Sequence, residues 1–184
     1  MIQLLFLGLA ALGYTALAQN PCGSSEWRYS PHTGKCYRLY QEKIGWTAGE
    51  FKCYFQGAHH PSIHNPADNQ FVSELARQAG IVWLGAAQYG NSVDYVYSDK
   101  TPFNFENWEI GTRPPVNRGR KCIKVDGNTG KWVQSCCKVP ASLICQKNAA
   151  FLPGPIVEEI SEADKVAIGK TSNDIRRAKF IRRF

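Results

Sequence analysis

Beyond its first dozen residues the 184-residue chain has no long apolar run. No later segment is therefore built to cross a bilayer, which takes about 20 consecutive apolar residues. Internal repeats and low-complexity tracts are also missing, which excludes fibrous and low-complexity classes. There is no nucleophile-elbow serine, no phosphate-binding glycine loop and no zinc-protease motif. Nothing points to paired carboxylates flanking a cleft, and the adjacent Cys136 and Cys137 lack redox spacing. The chain is accordingly read as non-enzymatic and without a cofactor. No Asn-x-Ser/Thr sequon occurs, so N-glycosylation is not expected. Acidic residues are the scarcer sign: 15 Asp and Glu face 22 Lys and Arg, a formal charge of +7.

What is present is an ordinary globular composition, 43% apolar and 20% charged. The length suits one or two domains. Ile2 to Leu12 is almost wholly apolar and is followed by Ala16-Leu17-Ala18, a small-x-small pattern. Residues 1–18 are read as a secretory signal peptide cut after Ala18, which places the mature protein outside the cell. In that compartment seven cysteines are read as disulfide partners before metal ligands.

All seven cysteines and all five tryptophans lie between Cys22 and Cys145, so residues 19–147 are read as the folded domain. Residues 148–184 are read as a linker, around Pro153-Gly154-Pro155, and a basic, disordered tail. Arg176 to Phe184 carries five cations and no acid, with Ile175, Ala178, Ile181 and Phe184 at three-residue spacing. That end either stays solvated or becomes an amphipathic helix making weak contact with an anionic membrane.

Within the domain the clearest helix runs from Asn65 to Ala79. Asn65 suits the N-cap, Pro66 the first helical position and Gly80 the stop. Phe71, Val72, Leu75, Ala76 and Ala79 form its apolar stripe. A shorter helix is expected over Thr47 to Tyr54, with Ala48, Phe51 and Tyr54 inward and Cys53 pointing to the core. Ile81–Ala86, Tyr95–Tyr97, Cys122–Val125, Lys131–Gln134 and Leu143–Gln146 read as short strands, with Asp126 to Gly130 a turn between two of them. A long segment rich in Asn, Pro, Gly and aromatics separates Tyr97 from Cys122, and loops of that length are usually functional. The fold class is α+β, two helices with short antiparallel strands and a long loop region.

These residues, in this order, resemble the C-type-lectin-like domain family. Cys22 to Tyr37 resembles its N-terminal hairpin. Trp46 and Cys53 resemble its first helix, and Ser62-Ile63-His64 with the Asn65 helix its second. Trp83-Leu84-Gly85-Ala86 is similar to its core strand. Asn107-Trp108, Cys122, Lys131-Trp132, Cys137 and Cys145 are similar to its closing block. From spacing alone, six paired cysteines allow fifteen connectivities. The resemblance implies Cys22–Cys36, Cys53–Cys145 and Cys122–Cys137. Cys136 is then the odd cysteine: a buried free thiol, a mate that swaps with Cys137, or the link of a disulfide-bonded homodimer.

The sugar-binding members of the family hold calcium in the long-loop region. By position their ligand triplet falls on Arg113-Pro114-Pro115, a further Glu on Arg120 and an Asn-Asp pair on Val133-Gln134. Calcium takes six to eight oxygens, whereas two of these positions are cations and three offer no side-chain oxygen. An arginine about 4 Å from a cation costs on the order of 4 kcal/mol per unit charge at an effective dielectric of 20, and calcium doubles that. The family's calcium mechanism is therefore not expected. From Arg113 to Lys138 there are seven cations and one acid, Asp126. This basic segment is either a solvated face or an anion site, and arginine forks suit sulfate, phosphate and carboxylate. Phe103, Phe105 and Trp108 lie close enough in sequence to stack on a ligand, with Trp108 also a core candidate. His60 and His64 have metal-ligand spacing, but Pro61 breaks the helix that zinc would need.

The combined expectation is a secreted, non-enzymatic recognition protein binding carbohydrate or another extracellular ligand. Its surface is calcium-independent and anion-preferring, with Arg113, Arg118, Arg120 and Lys121 as ligand-binding residues. An anionic or sulfated glycan, or an extracellular protein, is the expected partner, and no nucleic acid. The resemblance also implies a place in host defence. The rival readings are a protein-binding module with no sugar ligand and a cationic membrane-active protein acting through its tail.

Overall fold

The structure is a computed structural model that describes residues 20–150. The expected signal peptide and basic tail lie outside the described residues. Two helices and one twisted sheet make up the domain. The hairpin β1 (Arg28–Ser30) and β2 (Lys35–Ile44) is followed by α1 (Trp46–Tyr54) and α2 (Pro66–Ala76). Then come β3 (Ile81–Ala87), β4 (Val96–Tyr97), β5 (Cys122–Asp126), β6 (Trp132–Ser135) and β7 (Ala141–Asn148). The strand order is β1-β2-β7-β3-β5-β6, with β4 paired to β3.

The first and last long strands lie side by side, Lys35 opposite Asn148 and Tyr40 opposite Leu143. At their far end Ala149 donates to the Gly34 carbonyl at 3.2 Å and Ala150 to the Pro21 carbonyl at 2.9 Å. The sheet is not wholly antiparallel as expected. β3 runs parallel to β7 through Val82–Ser142 and Trp83–Leu143, because the long connection between them, through the loop, β5 and β6, brings the chain back in the same direction. β2 is also longer than a short hairpin arm, at ten residues. Beyond Tyr37 its alternation is masked by Arg38, Gln41, Glu42 and Lys43.

α2 follows its sequence signals. The Asn65 side chain accepts from the Asp68 amide at 2.9 Å, Pro66 fills the first position, and Gly80 takes a positive φ of 83°, which glycine adopts without steric cost. The helix stops at Ala76 instead of Ala79, where a tighter turn carries Ala79 and Gly80 back to the Ala76 carbonyl. α1 departs from expectation in its facing. Phe51 and Tyr54 are exposed, 58% and 63%, and Ala48 is exposed beside them. Trp46, Gly49 and Cys53 are the buried row. Two constraints set this rotation: Cys53 is bonded to Cys145, and a side chain at position 49 would meet the His60 ring at 2.8 Å.

The three disulfides are Cys22–Cys36, Cys53–Cys145 and Cys122–Cys137. Cys136 is free and half-exposed, not buried. In the core, buried indoles find hydrogen-bond partners: Trp46 to the Leu84 carbonyl, Trp83 to the Ile44 carbonyl, and Trp132 to Asn69 Oδ1 at 2.7 Å. Burial of such rings dominates core energetics, at about 3–5 kcal/mol for truncation to alanine.

Candidate functional site

The long loop is anchored before it becomes irregular. At its base Ser62 Oγ donates to Asp99 at 2.6 Å, Gln146 joins both, and Lys35 approaches Asp99 at 3.7 Å. Burial pushes the Asp99 carboxyl up, but the hydrogen bonds from Ser62 and Thr101, with Lys35, hold it below the usual carboxylate range. Above this base Phe103 and Phe105 are half-buried and Trp108 is buried. Their rings pack on Tyr95, Tyr97 and Trp132 at centroid distances of 5.3–6.1 Å. Trp108 is thus a core residue and cannot stack on a ligand.

The four expected ligand-binding cations occupy different settings. Arg113 forks onto Glu106, with Nε donating to Oε2 at 3.0 Å and Nη2 to Oε1. Its guanidinium lies over the Phe103 ring at 5.5 Å. Glu106 also accepts from the Trp108 indole. The Arg113 hydrogen bonds hold the Glu106 carboxyl below its ordinary range, and Glu106 in turn raises Arg113. Lys121 is half-buried and donates to the Gly90 carbonyl, tying the end of the loop to the segment after β3. Arg118 and Arg120 differ from both. They flank Gly119 on a turn closed by Asn117, whose side chain accepts from the Gly119 amide at 2.9 Å and whose carbonyl accepts from Arg120 at 2.9 Å. Both are exposed, and among the described residues neither guanidinium has an acidic partner.

Sequence reasoning missed Glu106 as the acid that neutralises Arg113. Seven residues in irregular chain separate them, so no periodicity joins them. It also counted Lys124 with the basic face. Lys124 is buried, with its ammonium 4.3 Å from the Trp83 ring centroid, and burial lowers its pKa. The exposed cations of this region are Arg113, Arg118, Arg120, Lys131 and Lys138.

The residues aligned with the family's calcium ligands do not fit calcium. Arg113 is held in an ion pair, Pro114 and Pro115 offer no side-chain oxygen, and Arg120 is a free cation. Gln134 turns its amide nitrogen onto the Tyr95 hydroxyl at 2.8 Å. Among the described residues no group of three or more His, Cys, Asp or Glu is placed to hold a metal ion. His60 and His64 point to separate partners. His60 is fully buried between the Trp46 and Ile144 carbonyls, whereas His64 meets Asn104 at 2.8 Å. No helix among the described residues is long and apolar enough to cross a membrane.

Comparison with known proteins places this arrangement. Lymphocyte antigen 75 of Mesocricetus auratus is 32% identical over 132 residues, covering 69% of this chain and 8% of its own length. The chain therefore spans about a twelfth of that relative. A C-type lectin mannose-binding isoform of Oxyuranus scutellatus is 29% identical over 137 residues, covering 70% of this chain and 85% of the relative. Among solved structures, a calcium-independent type II antifreeze protein superposes with a TM-score of 0.63 at 23% identity. That match covers 68% of this chain and 94% of the other, and the likeness is one of fold. A family model for the lectin C-type domain matches residues 42–147, more than half of the chain, which belongs to the C-type lectin domain family.

Proposed function

We propose that this is a secreted, non-enzymatic recognition protein that binds an anionic, sulfated glycan without calcium. Arg118 and Arg120 make the primary contacts, and Lys121 and Arg113 border them. The observation that carries this reading is the Asn117 turn, which presents two exposed guanidiniums with no acidic partner. One of them stands at a position where the calcium-binding members of the family place a carboxylate. Two exposed forks on one turn suit the oxygens of a sulfate or carboxylate group. Host defence is the role in which such recognition would serve, and Cys136 is the position through which two copies would be joined by a disulfide.

The test is heparin affinity in the presence of a calcium chelator, using Arg118→Glu with Arg120→Glu in a chain ending at Ala150, so that the basic C-terminal residues cannot substitute. The unmodified short chain should be retained, with retention falling as salt rises, because exposed charges are screened within about 8 Å at physiological ionic strength. Retention of the folded double variant at the wild-type salt concentration would sink the proposal. A protein ligand is the second reading, favoured by Ile110 and Val116, which are 66% and 56% exposed in the same loop. It predicts affinity that changes little with salt.

A further inference from the structure

A groove of about 480 Å³ lies to one side of the loop cations. Its walls are α2 with the following Arg77, the strap Phe105–Asn107 and the β5–β6 turn from Gly127 to Gly130. These three pieces are locked together. Asn69 donates to the Gly130 carbonyl at 3.0 Å while accepting from the Trp132 indole at 2.7 Å. Asn107 donates to the same carbonyl at 2.8 Å. The turn sits so close to the end of α2 that a side chain at Gly127 would lie 2.5 Å from the backbone of Ala76 and Arg77. The groove is therefore preformed and needs no ordering when it is filled, which removes one of the main costs of binding.

Its lining mixes polar groups with apolar surface. Apart from Pro66, Phe105 and two glycines, every lining residue carries a polar side chain. Several polar atoms have no partner among the described residues: the Arg77 guanidinium, the Asn128 side-chain amide and Gln70 Oε1. Glu74 uses Oε1 to accept from Gln70 and leaves Oε2 open. The groove thus offers both donors and acceptors together with one half-buried aromatic ring, Phe105, set edge-on to Trp132. Its charges cancel, since Glu74 faces Arg77 in sign and Glu106 is neutralised by Arg113. A polyanion gains nothing there. An apolar ligand would strip water from the open polar atoms without replacing their hydrogen bonds. The chemistry that matches is a ring with hydroxyls around its edge and C–H groups on its face. The volume lies within the range of small-molecule sites.

We propose that this groove is a second ligand site, which takes a neutral saccharide of one or two rings and acts independently of calcium and of the loop arginines. It does not rest on the sulfated-glycan reading, and the two can fail separately.

The experiment uses the full chain, an array of neutral and sulfated mono- to tetrasaccharides, a calcium chelator and two salt concentrations, physiological and about 1 M, where the screening length falls to about 3 Å. Hits are quantified by calorimetry. Glu74→Ala with Asn128→Ala removes an acceptor and a side-chain amide from the groove; it frees Gln70 but leaves the Asn69 and Asn107 bonds that lock the walls together. Phe105→Leu, as a second variant, removes the ring face while keeping an apolar side chain against Trp132. Neutral glycan binding should persist at high salt. It should fall at least about tenfold, or roughly 1.4 kcal/mol, in either variant at unchanged melting temperature. Arg118→Glu with Arg120→Glu should leave it intact. The proposal is overturned if no neutral saccharide binds, if binding needs calcium, or if both groove variants bind as the parent does.

Discussion

Replacing Glu106 by glutamine should strengthen binding to a sulfated glycan. In the parent protein the Glu106 carboxylate holds Arg113 through a fork, so the pair contributes no net charge to the surface beside Arg118 and Arg120. Glutamine keeps an oxygen to accept from the Trp108 indole but releases the guanidinium's charge. Each additional contact that displaces a counterion steepens the slope of log K against log salt by about 0.9, by analogy with nucleic-acid phosphates. Arg118 and Arg120 alone give a slope near −2, and the variant should move toward −3. The structural cost is small, because partly exposed ion pairs contribute about 0.2–1 kcal/mol. Isocratic heparin elution at several salt concentrations, with chelator present, reads the slope directly. Two controls fix the interpretation. Arg113→Gln alone leaves Glu106 uncompensated and should weaken retention. Glu106→Gln with Arg113→Gln restores neutrality and should behave like the parent. Acidification should not mimic the variant above about pH 4.5, because Arg113 holds the Glu106 carboxyl below its ordinary range. An unchanged slope in Glu106→Gln, or a double variant that loses retention as far as Arg118→Glu with Arg120→Glu, would refute the reasoning.

Millimolar calcium should leave the melting temperature unchanged, whereas a cation at 100 times its dissociation constant would add about 2.7 kcal/mol; scanning calorimetry with and without chelator decides. Burial lowers the pKa of His60, so the unfolded chain takes up a proton that the folded one refuses. Stability should therefore fall as pH drops below about 6.5, by up to roughly 1.4 kcal/mol per pH unit, and urea titrations of the parent and His60→Gln should differ in that slope. Gly127→Ala should destabilise by at least about 1–3 kcal/mol through overpacking, because the new carbon would meet backbone and no flexible side chain; a thermal melt within error of the parent would contradict the close seating of the turn. Thiol titration should find Cys136 as the single free thiol of the mature chain. If it joins two copies, a band of twice the monomer mass should vanish with reductant and in Cys136→Ser.

Local chemistry was legible where a single residue type has one physical use. Asn65 and Pro66 mark the start of α2 because the cap and the first helical position each favour a different side chain, and both act as read. The cysteine pairing required the resemblance, since spacing alone leaves fifteen connectivities open. The facing of α1 was misread because a pattern search weighs Phe51 and Tyr54 heavily and Gly49 hardly at all, yet glycine is what the His60 ring demands there. The parallel pairing of β3 with β7 depends on where a crossover returns, which no local pattern encodes. At the candidate site the reversal from acids to cations was plain in the residue types. The neutralisation of Arg113 was not, because loop conformation brings Glu106 to it. Burial of Lys124 over Trp83 was hidden for a related reason: it sits on a strand whose two faces are both covered.

The meeting of the domain's two ends has a mechanical consequence. Pro21, beside the first described residue, and Ala150, the last, are joined by a hydrogen bond. Tension applied at these points would open the β2–β7 ladder from its edge, one rung after another, instead of shearing all its rungs at once. The peeling would halt at Cys53–Cys145, which short-circuits a sequence separation of 92 residues. Force entering one end would pass through that covalent bond to the other. α2, the long loop, the Asn117 turn and the groove all lie between Cys53 and Cys145 and would be off the load path. The domain can thus be pulled from its ends while the surfaces proposed for recognition keep their shape, as a link in a chain bears load through its frame.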